Sequence, residues 1–443
     1  MSKRRRRKRL PDPVSDITVE SLSHDGRGVA HLDGKAVFID GALPGEIVSF
    51  EYRASRRRFD EGRVTAIAQA SPDRVEPRCV HFGLCGGCSL QHMEPVAQIR
   101  AKQQTLLDNL KHIGKVAPQE VLPPLTGPVW GYRTRGRLGA KDVIKKGRVL
   151  VGFREKHNPY VADLTVCEVL HPSVGKHLGE LSQLMEQLQA RARIPQIEVA
   201  VAGATTALVF RHLDPLSEGD RDKLKQYATD RGLHIYLQPA GPDSVQLLWP
   251  EQSVLSYQLP AESIEIQFRP TDFTQINTVI NEQMVARVLG LLALDRNDTV
   301  LDLFCGLGNF TLPMARHAGR VIGVEGDAGL VSRARDNAVL NGLENAMFHS
   351  ANLADVQAGA SWTGVACNKV LLDPPRSGAA EVLDELERMR PQRIVYVSCH
   401  PGSLARDAAT LVHEKGYRLL SSGVMDMFPH TAHVESIALF EDA

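Results

Sequence analysis

The last third of the chain repeats one pattern. Short apolar runs at Thr299–Leu303, Val321–Val324, Lys369–Leu372 and Ile394–Val397 each lead into a turn, with helical stretches between them. Strand and helix alternating in this way predict a parallel, doubly wound α/β sheet. In such a sheet, ligands bind in the crevice at the carboxyl ends of the strands. The residues just after each run therefore bound what the chain can do.

After the first run comes Asp302-Leu303-Phe304-Cys305-Gly306-Leu307-Gly308-Asn309-Phe310. A Gly-x-Gly alone says little, but Glu325 closes the next run, 23 residues after Asp302, where a carboxylate can bind ribose hydroxyls. There is no third phosphate-cradling glycine and no P-loop lysine, which argues against a dinucleotide or ATP. S-adenosylmethionine, a nucleoside without phosphates, fits such a loop. Asn352 follows the expected third strand, where it can meet an adenine edge. Asp373-Pro374-Pro375-Arg376 follows the fourth, its prolines stiffening the transfer site. Each feature alone has an ordinary loop explanation; in this order along one sheet they predict a methyltransferase.

Ser398-Cys399-His400-Pro401 puts a thiol past the last run. A cysteine there is often a buried, inert apolar group. The acceptor chemistry gives it a task. Amino methylation of nucleic acid uses an aromatic after the two prolines, and here that place holds Arg376. Pyrimidine C5 is a poor nucleophile, so a thiolate must first add to C6, and a separate base must later remove the C5 proton. Cys399 is the expected nucleophile. Glu435, in Phe428–Ile437 amid apolar neighbours, is the expected base, with partial burial raising its pKa; a strand carboxylate paired with His433 or an arginine is the plain alternative.

Net charge is zero but unevenly spread. Residues 1–70 hold 14 Lys/Arg against 10 Asp/Glu, residues 71–270 hold 24 against 21, and residues 271–443 hold 14 against 21. A basic front and an acidic back suggest that the first domains hold a polyanion and the last does chemistry. The run Lys3–Arg9 has no apolar segment behind it, so it reads as a basic arm and not a secretory signal. No apolar run is long enough to span a membrane, and a cytoplasmic protein is expected. Residues 14–70 carry short strand patterns separated by Asp25-Gly26, Asp33-Gly34 and Pro44-Gly45, as in a small OB-like barrel. Arg133, Arg135 and Arg137 alternate on one predicted strand, either tracking phosphates or lying solvated on an edge.

Seven cysteines, an odd number, argue against a disulfide framework. Cys79, Cys85 and Cys88 lie within ten residues among Gly83, Gly86 and Gly87, and Cys167 is available as a fourth ligand. Four thiolates suit structural zinc or a [4Fe–4S] cluster, and the three-plus-one spacing favours the cluster.

Together these motifs resemble the bacterial 23S ribosomal RNA uracil-C5 methyltransferases that carry a TRAM domain and an iron–sulfur cluster. Gly26–Ala30 with Gly41–Glu46 is similar to the TRAM pattern, and Phe273-Thr274-Gln275-Ile276-Asn277 to the family's Phe-x-Gln-x-Asn. The resemblance implies a [4Fe–4S] cluster on Cys79, Cys85, Cys88 and Cys167. It implies a cofactor pocket of Gln275, Phe304, Asn309, Glu325, Asn352 and Asp373, with Phe273 near a flipped base. It implies Cys399 as nucleophile and Glu435 as base. His400 departs from the Asn usual in the family, which puts a neighbouring contact in question. The expected organisation is a basic arm (1–12), a TRAM/OB-like RNA-binding domain (13–70), a central mixed α+β RNA-binding domain with the cluster (71–270) and a Rossmann-like S-adenosylmethionine methyltransferase domain (271–443), acting on 23S rRNA as a monomer. A radical-SAM methylthiotransferase would need Cys-x3-Cys-x2-Cys, a cytosine-C5 enzyme a cysteine within the Asp373–Arg376 motif, and an RNA-binding adaptor neither Cys399 nor Glu435.

Overall fold

Val300, Leu301 and Leu303 in the strand Thr299–Leu303, Val370 to Leu372 in Lys369–Leu372 and Ile394 to Val397 in Arg393–Ser398 are buried on both faces, as the strands of a helix-covered parallel sheet must be. The protein is described from a computed structural model, over residues 10–355 and 362–443. The basic run Lys3–Arg9 lies outside the described residues. The chain falls into two compact units, one running through Lys102 with Pro429–His433, the other comprising Gln103–Phe428 and Val434–Ala443.

The first unit holds a six-stranded sheet, ordered β1-β5-β6-β4-β3-β2, from β1 (Val14–Thr18), β2 (Ser21–Leu22), β3 (Gly28–Leu32), β4 (Lys35–Asp40), β5 (Ile47–Ser55) and β6 (Phe59–Gln69). Val48, Phe50 and Tyr52 alternate inward along β5 and meet Ala30, Val37 and Ile39. Gly62 of β6 lies under Phe50, where a Cβ would come 2.4 Å from the ring. Helix α1 (Pro95–Asn109) begins in this unit. Its Gln98, fully buried, accepts from the His430 amide (2.8 Å) and donates to Leu90 O and Met93 O, while the Ser89 and Leu90 amides both donate to His430 O at 2.9 Å.

In the second unit, β7 (Glu120–Val121), β8 (Arg135–Val143), β9 (Arg148–Gly152), β10 (Gln196–Ala202), β11 (Thr205–Arg211), β12 (Leu233–Gln238) and β13 (Gln246–Trp249) precede a hairpin, β14 (Leu255–Leu259) and β15 (Ile264–Phe268). Six of them form a sheet ordered β13-β12-β11-β10-β8-β9. Helices α2 (Pro172–Gly175), α3 (Leu178–Gln187) and α4 (Glu218–Arg231) join them.

The eight-stranded sheet runs β18-β17-β16-β19-β20-β22-β21-β7, with β16 (Thr299–Leu303), β17 (Arg320–Glu325), β18 (Ala346–Ser350), β19 (Lys369–Leu372), β20 (Arg393–Ser398), β21 (Tyr417–Met425) and β22 (Glu435–Asp442). Strands β16 to β20 are parallel. Helices α5 (Thr278–Leu292), α6 (Thr311–His317), α7 (Ala328–Leu340), α8 (Leu383–Met389) and α9 (Pro401–Ala409) flank the sheet order. The order reverses between β16 and β19, the topological switch point where ligands bind. Beyond β20 the chain departs from a purely parallel design, because β22 inserts antiparallel between β20 and β21.

Candidate active site

Past β16 the backbone turns through left-handed conformations: φ is 69° at Phe304, 56° at Gly306 and 91° at Gly308. Glycine suits the last two; a Cβ on Gly308 would come 3.0 Å from Leu312. The Phe304 and Cys305 amides both donate to Val324 O, at 2.9 and 3.1 Å, folding the turn over the end of β17. There Glu325 accepts from Gly306 N (3.1 Å) and Asp327 N (3.0 Å). Asn352 is exposed in the turn after β18 and accepts from Ala354 N at 3.1 Å.

Beneath the turn, Asp302 is fully buried and accepts from Thr311 Oγ1 at 2.5 Å. Burial, with the charges of Asp373 and Glu325 nearby, pushes its carboxyl up to about 8. Its other oxygen, Oδ1, has no hydrogen-bond partner among the described residues. An orphaned buried acceptor, an open glycine turn and a carboxylate at the strand end fit a small polar nucleoside. Sequence reading did not single out the support of Asn309: a reciprocal amide pair with Asn281 (2.9 Å each way) and the buried Tyr257 hydroxyl, which donates to Asn309 Oδ1 at 2.8 Å. Only an amide facing an amide could have hinted at it, and that pairing is invisible in a linear chain.

Gln275 is half-buried in a segment fixed at both ends. Arg333 pairs with Asp272 at 2.7 Å, and the Arg135 guanidinium donates to Asp272 O at 2.5 Å. Beyond Gln275, Thr134 N donates to Ile276 O (2.8 Å), and Asn277 caps α5 through Ile280 N. Phe273 projects from this clamp, 72% exposed. The three alternating arginines do not form a phosphate track. Arg135 is half-buried over the Phe268 ring, its pKa lowered by desolvation to about 10; Arg133 precedes β8 and lies over Phe153; Arg137 is exposed beside Glu198, 3.1 Å away. Walling the site outweighs solvation for Arg135, because its neighbours supply both a carbonyl and an aromatic face.

On the acceptor side, β20 pairs with β22 in a register ending at Ser398↔Ser436. Cys399 follows just past the end of β20 and Glu435 is the first residue of β22, close enough for its charge to act on the thiol. Asp373 enters from the other side of β20, past β19, its amide donating to Leu303 O at 3.3 Å. Burial pushes Asp373 up to about 7. The Cys399 thiol is half-buried and pushed up to about 11, by burial first and then by the charges of Glu435 and Asp373, with Arg376 acting against them. His400 performs an N-cap: its Nδ1 accepts from Ser403 N at 3.1 Å, as a capping amide oxygen would. The departure from Asn thus leaves the turn after Cys399 intact.

Cys79, Cys85 and Cys88 are half-buried on one loop of the first unit, turned by Gly83 at φ 86°; Cys167 belongs to the second. The Gly87 amide donates to Cys85 Sγ at 3.3 Å, a contact that suits a thiolate. Cys167 N donates to Gly175 O at 2.7 Å in a tight turn. The donor chemistry suits a sulfur-ligated centre, although among the described residues no three His, Cys, Asp or Glu side chains converge into a metal cage.

The sheet and its strand-end crevice define a Rossmann-like methyltransferase. Residues 182–443 match the tRNA (Uracil-5-)-methyltransferase family model and residues 13–65 the TRAM domain. The chain belongs to the RNA uracil-C5-methyltransferase family. It is 54% identical to a protein of Xanthomonas axonopodis pv. citri, with 99% of each chain covered, and 53% identical to one of Methylococcus capsulatus, with 100% of each covered. A protein of Alcanivorax borkumensis is 52% identical over 99% of this chain and 98% of its own. All three bear the name 23S rRNA (uracil(1939)-C(5))-methyltransferase RlmD. The crystal structure of Pyrococcus abyssi tRNA (uracil-54, C5)-methyltransferase, in complex with S-adenosyl-L-homocysteine, shares the fold: TM-score 0.74 at 22% identity, over 96% of this chain and 99% of that one.

Proposed function

We propose that this protein methylates C5 of a uracil in 23S ribosomal RNA, using S-adenosylmethionine and a covalent adduct on Cys399. The observation that supports the reading is the end of the β20–β22 ladder at Ser398↔Ser436, with Cys399 just past β20, Glu435 opening β22, and the Glu435 and Asp373 charges acting on the thiol. The relatives' shared name supports the RNA. Gln275, Phe304, Asn309, Glu325, Asn352 and Asp373 would hold the cofactor, which when bound supplies an electrophilic methyl group for C5. Cys399 Sγ adds to uracil C6, making C5 nucleophilic. After C5 is methylated, Glu435 takes the C5 proton, the electron pair re-forms the C5–C6 double bond and the sulfur leaves. The target base must leave its stack so that both faces of the C5–C6 bond are reached. The exposed Phe273 ring is the platform assigned to it.

The remaining parts of the proposal concern organisation. The basic arm (1–12), the TRAM domain (13–70) and the central domain (71–270) bind RNA, and residues 271–443 catalyse. Cys79, Cys85, Cys88 and Cys167 hold a [4Fe–4S] cluster with a structural role. The enzyme acts as a cytoplasmic monomer; among the described residues no helix is long and apolar enough to cross a membrane. The test is tritium release from rRNA labelled at uracil C5. Release that requires S-adenosylmethionine is expected, with none from Cys399→Ala and a trapped protein–RNA adduct from Glu435→Gln. Wild-type methylation without tritium release would sink the reading. Anaerobically purified protein should be brown and contain iron; stoichiometric zinc without visible absorption would remove the cluster.

A further inference from the structure

One buried carboxylate packed against the catalytic sheet has no part in the chemistry described so far. Asp407, on α9, is 1% exposed. A carboxylate so buried is costly unless its oxygens are fully hydrogen-bonded. Its Oδ2 accepts from Ala379 N (2.8 Å) and from Tyr396 Oη (2.7 Å). Its Oδ1 accepts both arms of Arg406, at 2.8 and 2.6 Å. Arg406 in turn donates to Ser377 O at 2.8 Å. Between Ser377 and Ala379, Gly378 has φ 91°, and a Cβ there would lie 2.5 Å from both the Arg406 and the Asp407 side chains.

Each contact lands next to the reaction. Ser377 and Ala379 end the loop that begins Asp373-Pro374-Pro375-Arg376, and Tyr396 stands on β20 three residues before Cys399. We propose that Asp407 is a positioning residue: it locks the end of this loop to β20 and so keeps the Arg376 guanidinium beside the Cys399 thiol. The inference rests on Cys399 being the nucleophile. The charged groups facing that thiol are Glu435 from β22 and Asp373 and Arg376 from the loop after β19, and only Arg376 favours the thiolate. Asp373 is tied separately, through its amide, to the end of β16. Loosening Ser377–Ala379 therefore withdraws the favourable charge and leaves the two unfavourable ones in place.

Two variants approach the lock from opposite sides. Asp407→Asn keeps the shape but offers one acceptor oxygen where four donors converge. Gly378→Ala drives a methyl group into the same contacts. Each is expected to lower kcat about tenfold to a hundredfold with little change in the KM for S-adenosylmethionine. In RNA-free enzyme, the pH profile for iodoacetamide labelling of the Cys399 peptide should move to higher pH. Arg376→Gln should move it likewise, and Arg376→Gln combined with Asp407→Asn no further. A folded Asp407→Asn enzyme whose labelling profile is unmoved would overturn the proposal, whether or not kcat falls, as would full additivity with Arg376→Gln. Should Asp407→Asn not fold, Gly378→Ala carries the same test. Methylation surviving in Cys399→Ala would instead remove the underlying reading of the site.

Discussion

The two halves of the catalytic sheet, on either side of the β16/β19 switch point, solve different electrostatic problems. The cofactor half is built from consecutive parallel strands and presents backbone: glycines, amides and a carboxylate whose oxygens are held by Gly306 N and Asp327 N. Asp302, fully buried within it, has its carboxyl pushed up to about 8. The acceptor half imports an antiparallel strand and presents side chains in mutual conflict, a thiol among carboxylates with a single guanidinium opposing them. Preorganised backbone suits a ligand that only has to be held. Opposed side chains suit a site whose protons must move, because groups with displaced pKa values exchange protons readily.

This contrast predicts unequal sensitivity. The largest effects belong to the acceptor half: Cys399→Ala should abolish turnover, and Glu435→Gln should stop at the adduct, seen as a band retained on RNA in denaturing gels. On the cofactor side, Glu325→Ala should mainly raise the KM for S-adenosylmethionine, by about tenfold to a hundredfold if one charge-assisted contact of roughly 1.5–3 kcal/mol is lost. Equal losses of kcat from Glu325→Ala and Glu435→Gln would erase the distinction. In the resting enzyme the Cys399 thiolate is scarce, about one part in 10⁴ at pH 7 for a thiol near 11. Its alkylation should accelerate steadily from pH 7 to pH 10, whereas an ordinary thiol would level off near 8.5.

Asp302 gives a smaller, opposite test. Its folded pKa lies above its unfolded value, so the stability it contributes is complete below about 4 and is lost as pH rises through about 8. Denaturant titrations at pH 6 and pH 9 should show the wild type losing stability, by at most about 1.4 kcal/mol per pH unit, and Asp302→Asn losing less. The smallest effect expected is on Phe273→Leu, an exposed ring outside both charge systems, which should weaken RNA binding by about 1 kcal/mol, the low end of one stacked base because leucine keeps part of the contact.

How much of this was legible in the sequence follows the same division. The turn at Phe304–Asn309, Glu325, the Asp373–Arg376 loop and Cys399 needed only a strand followed by its turn, and local patterns carry that information. The supports did not appear. Tyr257 and Asn281 reach Asn309 from 52 and 28 residues away, and Asp407 reaches Ala379 from 28. Arginine alternation on β8 looked like a surface signal because periodicity reports a face and not what covers it. The insertion of β22 between β20 and β21 is likewise unreadable, since its apolar run would serve any interior strand.

That insertion has a consequence for how the enzyme comes into being. Cys399 precedes Glu435 by 36 positions in the chain, yet the strand between them, β21, reaches β20 only through β22. Until β22 is in place, β20 presents an open edge, the kind of surface that recruits other chains. Completion of the sheet and the meeting of Cys399 with Glu435 are therefore one event: the two side chains come together only when the last strand has closed against β20.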